Sequence, residues 1–185
     1  KKLYVTDFFK NVELSISDGN LIVLVEENPI VQNLIIQGIK AEKFKARLLE
    51  VLNIKERTSY VESKLKKDIS LIKTAFEEVG YYFVKIDANI IENDNNTVDL
   101  IYDVDLGKKT KISKIKFIGN KIYKDRKLLS VITSEESKFW KIVSSNKYLN
   151  KERIGLDTRL LTNFYKNKGY YNAKIESSFA NLSSN

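Results

Sequence analysis

The sequence predicts an α+β protein assembled from repeated β-α-α-β-β units, and three observations predict it. The segments "EEVGYYFVKIDANI" and "KNKGYYNAKIESSF" match without a gap when Gly80 is laid on Gly169, 89 positions away. Ahead of each glycine, apolar residues recur three and four apart, the period of a helix with one buried face. Beyond each glycine they alternate with polar residues, the period of a half-buried strand. Self-similarity at a fixed long period is the mark of modules repeated along a chain.

The match runs through the whole segment. Asp68 falls on Asp157, Leu71 on Leu160, Phe76 on Tyr165, Tyr81-Tyr82 on Tyr170-Tyr171 and Ile86 on Ile175. Upstream, "VQNLIIQG" at 31–38 pairs with "ISKIKFIG" at 112–119, offset by 81. The surplus of eight residues therefore lies between Gly119 and Asp157, and the irregular "TSEESKFWKIVSSNKYLN" is where it is expected. A partial third copy opens the chain, with Val12 on Val84 and Leu14 on Ile86 at an offset of 72. The expected organisation is the hairpin end of a first unit at 1–28, a whole unit at 29–107, and a unit at 108–185 that lacks its last strand.

Each element has a local cause. Val12 to Val25 reads as a β-hairpin. Val31 to Gly38 is apolar, β-branched and closed by glycine, which suits a strand. "AEKFKARLLEVLN" sets Phe44, Leu48, Leu49 and Leu52 on one helical face. Ser59 and Glu62 have capping-box spacing for a second helix carrying Leu65, Ile69, Ile72 and Phe76. Gly80 ends it, as glycine does where φ must be positive. Val84, Ile86, Ala88 and Ile90 then alternate with Lys85, Asp87 and Asn89. "ENDNN" is turn chemistry, and Val98 to Val104 alternates again. In the next unit, Ile112 to Gly119 reads as a strand and Asp125 as the cap of a helix with Leu128, Leu129 and Ile132. Asn150 caps a longer helix that Gly169 stops, and a strand is expected to run on to about Phe179.

Composition narrows the function. The 185 residues contain no Cys and no His. Disulfides, zinc-thiolate sites, thiol nucleophiles and the commonest general base are thereby removed. Carboxylates or lysine would have to carry any catalysis, so an enzyme is not expected. The formal net charge of +8 fits an anionic partner such as nucleic acid. Against this, the basic residues are scattered and arginine, the residue suited to bidentate phosphate and guanine contacts, is scarce. No apolar run reaches the ~18 residues of a membrane-spanning helix. The absence of Met at the start reads as a piece of a longer or processed protein.

A unit that opens with Ile115, Phe117, Gly119 and Asn120, ends its second helix at "GYY" and closes with an alternating hairpin resembles a POTRA domain. The stretch "FWKIVSSNKYLNKERIGLDTRLLTNFYKNKGYYNAKI" is similar to a POTRA domain of the outer-membrane β-barrel assembly family. One departure is Ile39, where the motif has Asn. The resemblance implies tandem POTRA repeats, each a three-stranded mixed sheet covered by two helices, with the missing strand of the last unit at the centre of its sheet. It implies a periplasmic scaffold at the outer membrane of a Gram-negative bacterium, without cofactor or metal. Its implied partners are unfolded outer-membrane protein clients and accessory lipoproteins of an assembly complex, with the membrane reached only through a C-terminal barrel absent from this sequence and with no nucleic acid. A POTRA array of a two-partner secretion transporter or of a translocation and assembly module carries the same motifs. A basic nucleic-acid-binding αβ repeat, or an enzyme with paired acids in a deep pocket, are the readings from other classes.

The resemblance implies β-augmentation, in which a client adds as a strand to an open sheet edge. The candidate edges follow the two glycines. Their residues are Tyr82, Lys85, Asp87 and Asn89 in one copy and Tyr171, Asn172, Lys174 and Glu176 in the other. The competing reading is that polar edge residues only prevent aggregation. Each tyrosine pair has a packing reading too, one ring under the helices and one over the helix end. Phe139 and Trp140, beside Lys138 and Lys141, form a candidate loop anchor; the alternative is that they pin the loop to its own unit. Asp103 and Asp105 share a strand face that reads as solvated. Asp68 and Asp157, each among basic residues, read as partners in helix-surface ion pairs.

Overall fold

The structure, a computed structural model, describes residues 6–140 and 144–183. The chain divides into two compact units, 1–76 with 84–107, and 77–83 with 108–185.

The first unit begins with a hairpin of β1 (Phe9–Ser17) and β2 (Asn20–Glu27), with Val12 opposite Val25. Its two-residue turn has positive φ at Asp18 and Gly19, the arrangement whose twist matches that of the flanking strands. Leu14, Ile16, Leu21 and Leu24 are all exposed.

Next come β3 (Ile30–Gln37), α1 (Glu42–Val51), α2 (Glu62–Glu78), β4 (Lys85–Asn93) and β5 (Thr97–Asp105). The three strands form one mixed sheet in the order β3-β5-β4. β5 is central, parallel to β3 and antiparallel to β4. Alternation sends Val98, Leu100, Tyr102 and Val104 of β5 into the core together with Val31, Leu34 and Ile36 of β3. Leu48 of α1 and Leu65, Ile72 and Phe76 of α2 are buried as well, and the rings of Phe44 and Phe76 meet at 5.0 Å. Each fully buried Leu or Ile contributes about 1.5–3 kcal/mol over an exposed one. Gly80, at φ 99°, stops α2 as the sequence predicts.

The capping box does not form. α2 starts at Glu62, so Ser59 lies ahead of the cap, and its buried Oγ has no hydrogen-bond partner among the described residues. Instead the backbone of Ser59 bridges to Ile30.

Asp68 is the larger correction. Its side chain is fully buried rather than paired on the helix surface. The carboxylate accepts from the backbone N–H of Asn53 at 2.7 Å and of Ile54 at 2.9 Å, from Asn53 Nδ2 at 2.7 Å and from the Tyr102 hydroxyl at 3.2 Å. It thus satisfies backbone donors just past α1, of which the Ile54 N–H would otherwise be buried at a cost. The signal was present in the sequence: Leu65, Asp68, Ile72 and Phe76 share one helical face, and the carboxylate sits in the apolar stripe.

Burial, followed by the charge and hydrogen bond of Asp68, pushes the Tyr102 hydroxyl far above its ordinary range. The folded state therefore holds that proton where the unfolded chain releases it, above about pH 10. Stability fully present below that pH is lost as pH rises beyond it. Tyr102→Phe is expected to reduce this alkaline loss, measured as the denaturant midpoint on either side of about pH 10.

The second unit holds α3 (Asp125–Leu129) and α4 (Lys151–Asn167). Asn150 caps α4, accepting from the N–H of Arg153 at 2.8 Å. Asp125 is not the cap of α3, since Lys124 holds that position; it accepts from Asn120 Nδ2 at 2.7 Å. Asp157 repeats the arrangement of Asp68, accepting from Thr133 N and Thr133 Oγ1, both at 2.7 Å, and from Ser134 N at 3.2 Å. It too is buried and makes no surface ion pair among the described residues. Leu128 and Leu149 are buried, and the rings of Phe164, Tyr165 and Tyr170 surround Tyr123 at 4.9, 5.5 and 6.2 Å.

Two expected strands are absent. Neither 112–119 nor 171–179 forms a strand, apart from an isolated bridge between Lys111 and Tyr148. The first unit supplies the reason. β3 and β4 do not pair with each other but only with β5. Among the described residues of the second unit nothing corresponds to β5, so both flanking segments lack the strand that would order them.

Candidate strand-addition edge

β4 enters the sheet through the sequence that follows Gly80. Val84 is buried and Ile86 and Ala88 are half-buried, while Lys85, Asp87 and Asn89 are exposed on the opposite face. The register with β5 sets Lys85 opposite Asp105, Asp87 opposite Asp103 and Ile91 opposite Asp99. The open face of these two strands thus carries four aspartates and one lysine, an acidic patch on a chain whose net charge is +8. Asp105 Oδ1 accepts from the N–H of Gly107 at 3.0 Å. One edge of β4 pairs with β5; along the other no described strand runs. Ile90 and Ile91, at 41% and 49% exposure, leave the far half of β4 open as well.

The two tyrosine pairs have different surroundings. Tyr81 and Tyr82 are both half-buried. Lys109 Nζ lies 5.3 Å from the centre of the Tyr81 ring, and burial, then the charge of Glu77, raises the pKa of Tyr82. Tyr170 packs edge-on against Tyr165 at the end of α4, while Tyr171 is 76% exposed. Asn172, Lys174 and Glu176 are exposed and Ala173 and Ile175 half-buried, so the alternation persists. They stand on an irregular segment, however, and not on the edge strand that the sequence predicts.

Phe139 and Trp140 contact each other edge to face at 4.5 Å. They are 86% and 63% exposed, so their rings do not pin the loop to its own unit. Lys138 Nζ lies 5.7 Å from the Trp140 ring; Lys141 lies outside the described residues. A cavity of about 350 Å³ in the first unit, beside Phe8, Asn28, Ser59 and Asn95, has Glu27 as its one carboxylate and so holds no pair of acids.

No helix among the described residues is long and apolar enough to cross a membrane. The chain is similar to the outer membrane protein assembly factor BamA of Neorickettsia risticii, 31% identical across 95% of this chain and 24% of that protein. Its counterpart in Neisseria meningitidis serogroup B is 29% identical across 95% of this chain and 22% of that protein. The chain thus spans about a quarter of the length of these curated relatives. Among solved structures it resembles the Haemophilus influenzae BamA POTRA3-5 fragment, with a TM-score of 0.45 and 18% identity over 84% of this chain and 61% of that one. The model of the POTRA family, described as a surface antigen variable number repeat, matches twice, at residues 29–107 and 110–184, and the chain belongs to that family.

Proposed function

We propose that this chain is part of the periplasmic POTRA scaffold of an outer-membrane protein assembly factor. It receives unfolded β-barrel precursors by strand addition and docks accessory lipoproteins, and its protein reaches the membrane through a barrel outside this sequence. The chain is read as the end of one repeat (1–28), a whole repeat (29–107) and most of another (108–185).

The observation that carries this reading is the open edge of β4, flanked by exposed Lys85, Asp87 and Asn89. Backbone N–H and C=O groups on such an edge attract any extended chain, and the alternation of side chains adds a mild preference. Barrel precursors are themselves alternating strands of about ten residues. The mechanism involves no bond making or breaking and no cofactor. That its relatives are outer membrane protein assembly factors supports the choice of client. In the second repeat, Tyr171, Asn172, Lys174 and Glu176 take the same role once a central strand orders them. Exposed Phe139 and Trp140 suit a docking contact, since aromatic residues anchor many interfaces.

Photoreactive residues placed at Lys85 and Lys174 test the reading in cells. Adducts with outer-membrane precursors or lipoproteins are expected. Capture of lipid or nucleic acid alone would sink it.

A further inference from the structure

A three-stranded sheet has two edges, and strand addition to the wrong one would produce aggregates or clients in the wrong polarity. β3 is the other edge, and its first half is covered. Residues 57–60 run beside its start. Val31 N donates to Thr58 O at 2.9 Å, Arg57 N to Val31 O at 2.7 Å and Tyr60 N to Pro29 O at 2.8 Å. A register shift between Val31 and Asn33 then bends the strand away from regular pairing. Just past the bulge, Glu56 Oε1 accepts from the N–H of Leu34 at 3.2 Å.

The second repeat does the same. Ile112 N donates to Lys147 O at 2.8 Å, and Ser137 N donates to Ile112 O at 2.7 Å. Glu136 Oε1 accepts from the N–H of Ile115 at 3.1 Å. Leu34 and Ile115 are matched positions of the repeat, offset by 81, and Glu56 and Glu136, offset by 80, each follow by three residues the backbone N–H of Asn53 or Thr133 that the buried aspartate holds. Since 112–119 is not in a sheet, this bond does not depend on one.

We propose that Glu56 and Glu136 are edge caps that decide which side of each repeat accepts a client. A side-chain carboxylate occupies an N–H that an incoming strand needs, and it sets a negative charge against that strand's own carbonyl oxygens. With β3 covered from Val31 to Leu34, too few free backbone groups remain there for a strand of ordinary length, and addition is directed to β4. The proposal rests on the strand-addition reading above, of which it specifies the edge.

The test uses the full chain and a synthetic peptide of about ten alternating apolar and polar residues. A photoreactive probe is placed at Ile35 on β3 or at Lys85 on β4, both exposed. Attachment at Lys85 is expected to exceed that at Ile35 by roughly tenfold, the scale of one charge-assisted hydrogen bond. In Glu56→Ala the ratio falls toward one, and Glu56→Gln, which keeps an acceptor, restores most of it. Hydrogen exchange without peptide is the second measurement. The Leu34 amide is expected to exchange about tenfold faster in Glu56→Ala while the Val31 amide does not change. Equal attachment at both probes in the unmodified chain, or an unchanged Leu34 amide, would overturn the caps and leave strand addition standing. Attachment at neither probe in any variant would overturn both.

Discussion

Replacing Asp68 by alanine is expected to lower the stability of the first repeat by roughly 3–4 kcal/mol, among the largest effects of any single change in this chain. The carboxylate is fully buried and accepts four hydrogen bonds, two from backbone N–H groups of Asn53 and Ile54 and two from the side chains of Asn53 and Tyr102. Removing it leaves the Ile54 N–H and the Tyr102 hydroxyl buried and unsatisfied, at about 1–3 kcal/mol each, while the donors of exposed Asn53 turn to water. Asp68→Asn keeps the volume but offers one acceptor oxygen where there were two, so an intermediate loss is expected. In a domain of this size, roughly 4–8 °C of melting temperature is lost per kcal/mol. Thermal unfolding of the chain should therefore show an early transition in Asp68→Ala. If the transition stays where it is, the carboxylate is not what ties α1 to α2.

Gly38→Ala is expected to cost about 4 kcal/mol or more and to prevent close pairing at the C-terminal end of β3. Two causes combine. Gly38 has φ 83°, which an L side chain adopts at a cost of about 1–2 kcal/mol. A Cβ there would also be driven into the carbonyl oxygen of Val104, which is backbone of the central strand and cannot swing aside. Gly119 is the matched glycine of the next repeat and has nearly the same φ, 85°, but nothing lies within 4 Å of its Cβ position. Gly119→Ala should therefore cost only about 1–2 kcal/mol, the conformational part. Denaturant midpoints of the two variants separate the contributions. Equal losses would show that the close approach to Val104 does not matter.

Local chemistry was legible in the sequence and long-range pairing was not. The helix stop at Gly80, the alternation through β4 and β5, the cap at Asn150 and the hairpin around Asp18-Gly19 each follow from a few neighbouring residues. The same alternation at 171–179 was equally readable and yet makes no strand, because a strand is a property of two segments and the second is not among the described residues. Asp68 and Asp157 were misread because the basic residues beside them in sequence outweighed their place on the apolar face. Position within the turn decided their fate. Glu56 and Glu136 carried no motif at all. They become visible only through the equivalent hydrogen bonds that they accept from Leu34 and Ile115. Of the candidate residues after Gly80, Lys85, Asp87 and Asn89 lie on β4, an edge strand of the sheet, while Tyr82 precedes it. Nothing local indicated that residues 56–60 would cover the start of the opposite edge.

The carboxylate bridge between the helices also bears on the order in which a repeat assembles. It closes a short loop, from Ile54 to Asp68, 14 residues apart. The β3–β5 pairing must bring together residues such as Asn33 and Asp99, 66 positions apart. Loop-closure entropy grows with that separation, and the long closure must be met before its contacts give any return. The second repeat holds its helices and its Asp157 bridge with no sheet among its described residues. The helices of a repeat are therefore expected to gather before the β3–β5 pairing closes. Until that pairing closes, β4 has no strand beside it, since in the folded sheet it pairs only with β5.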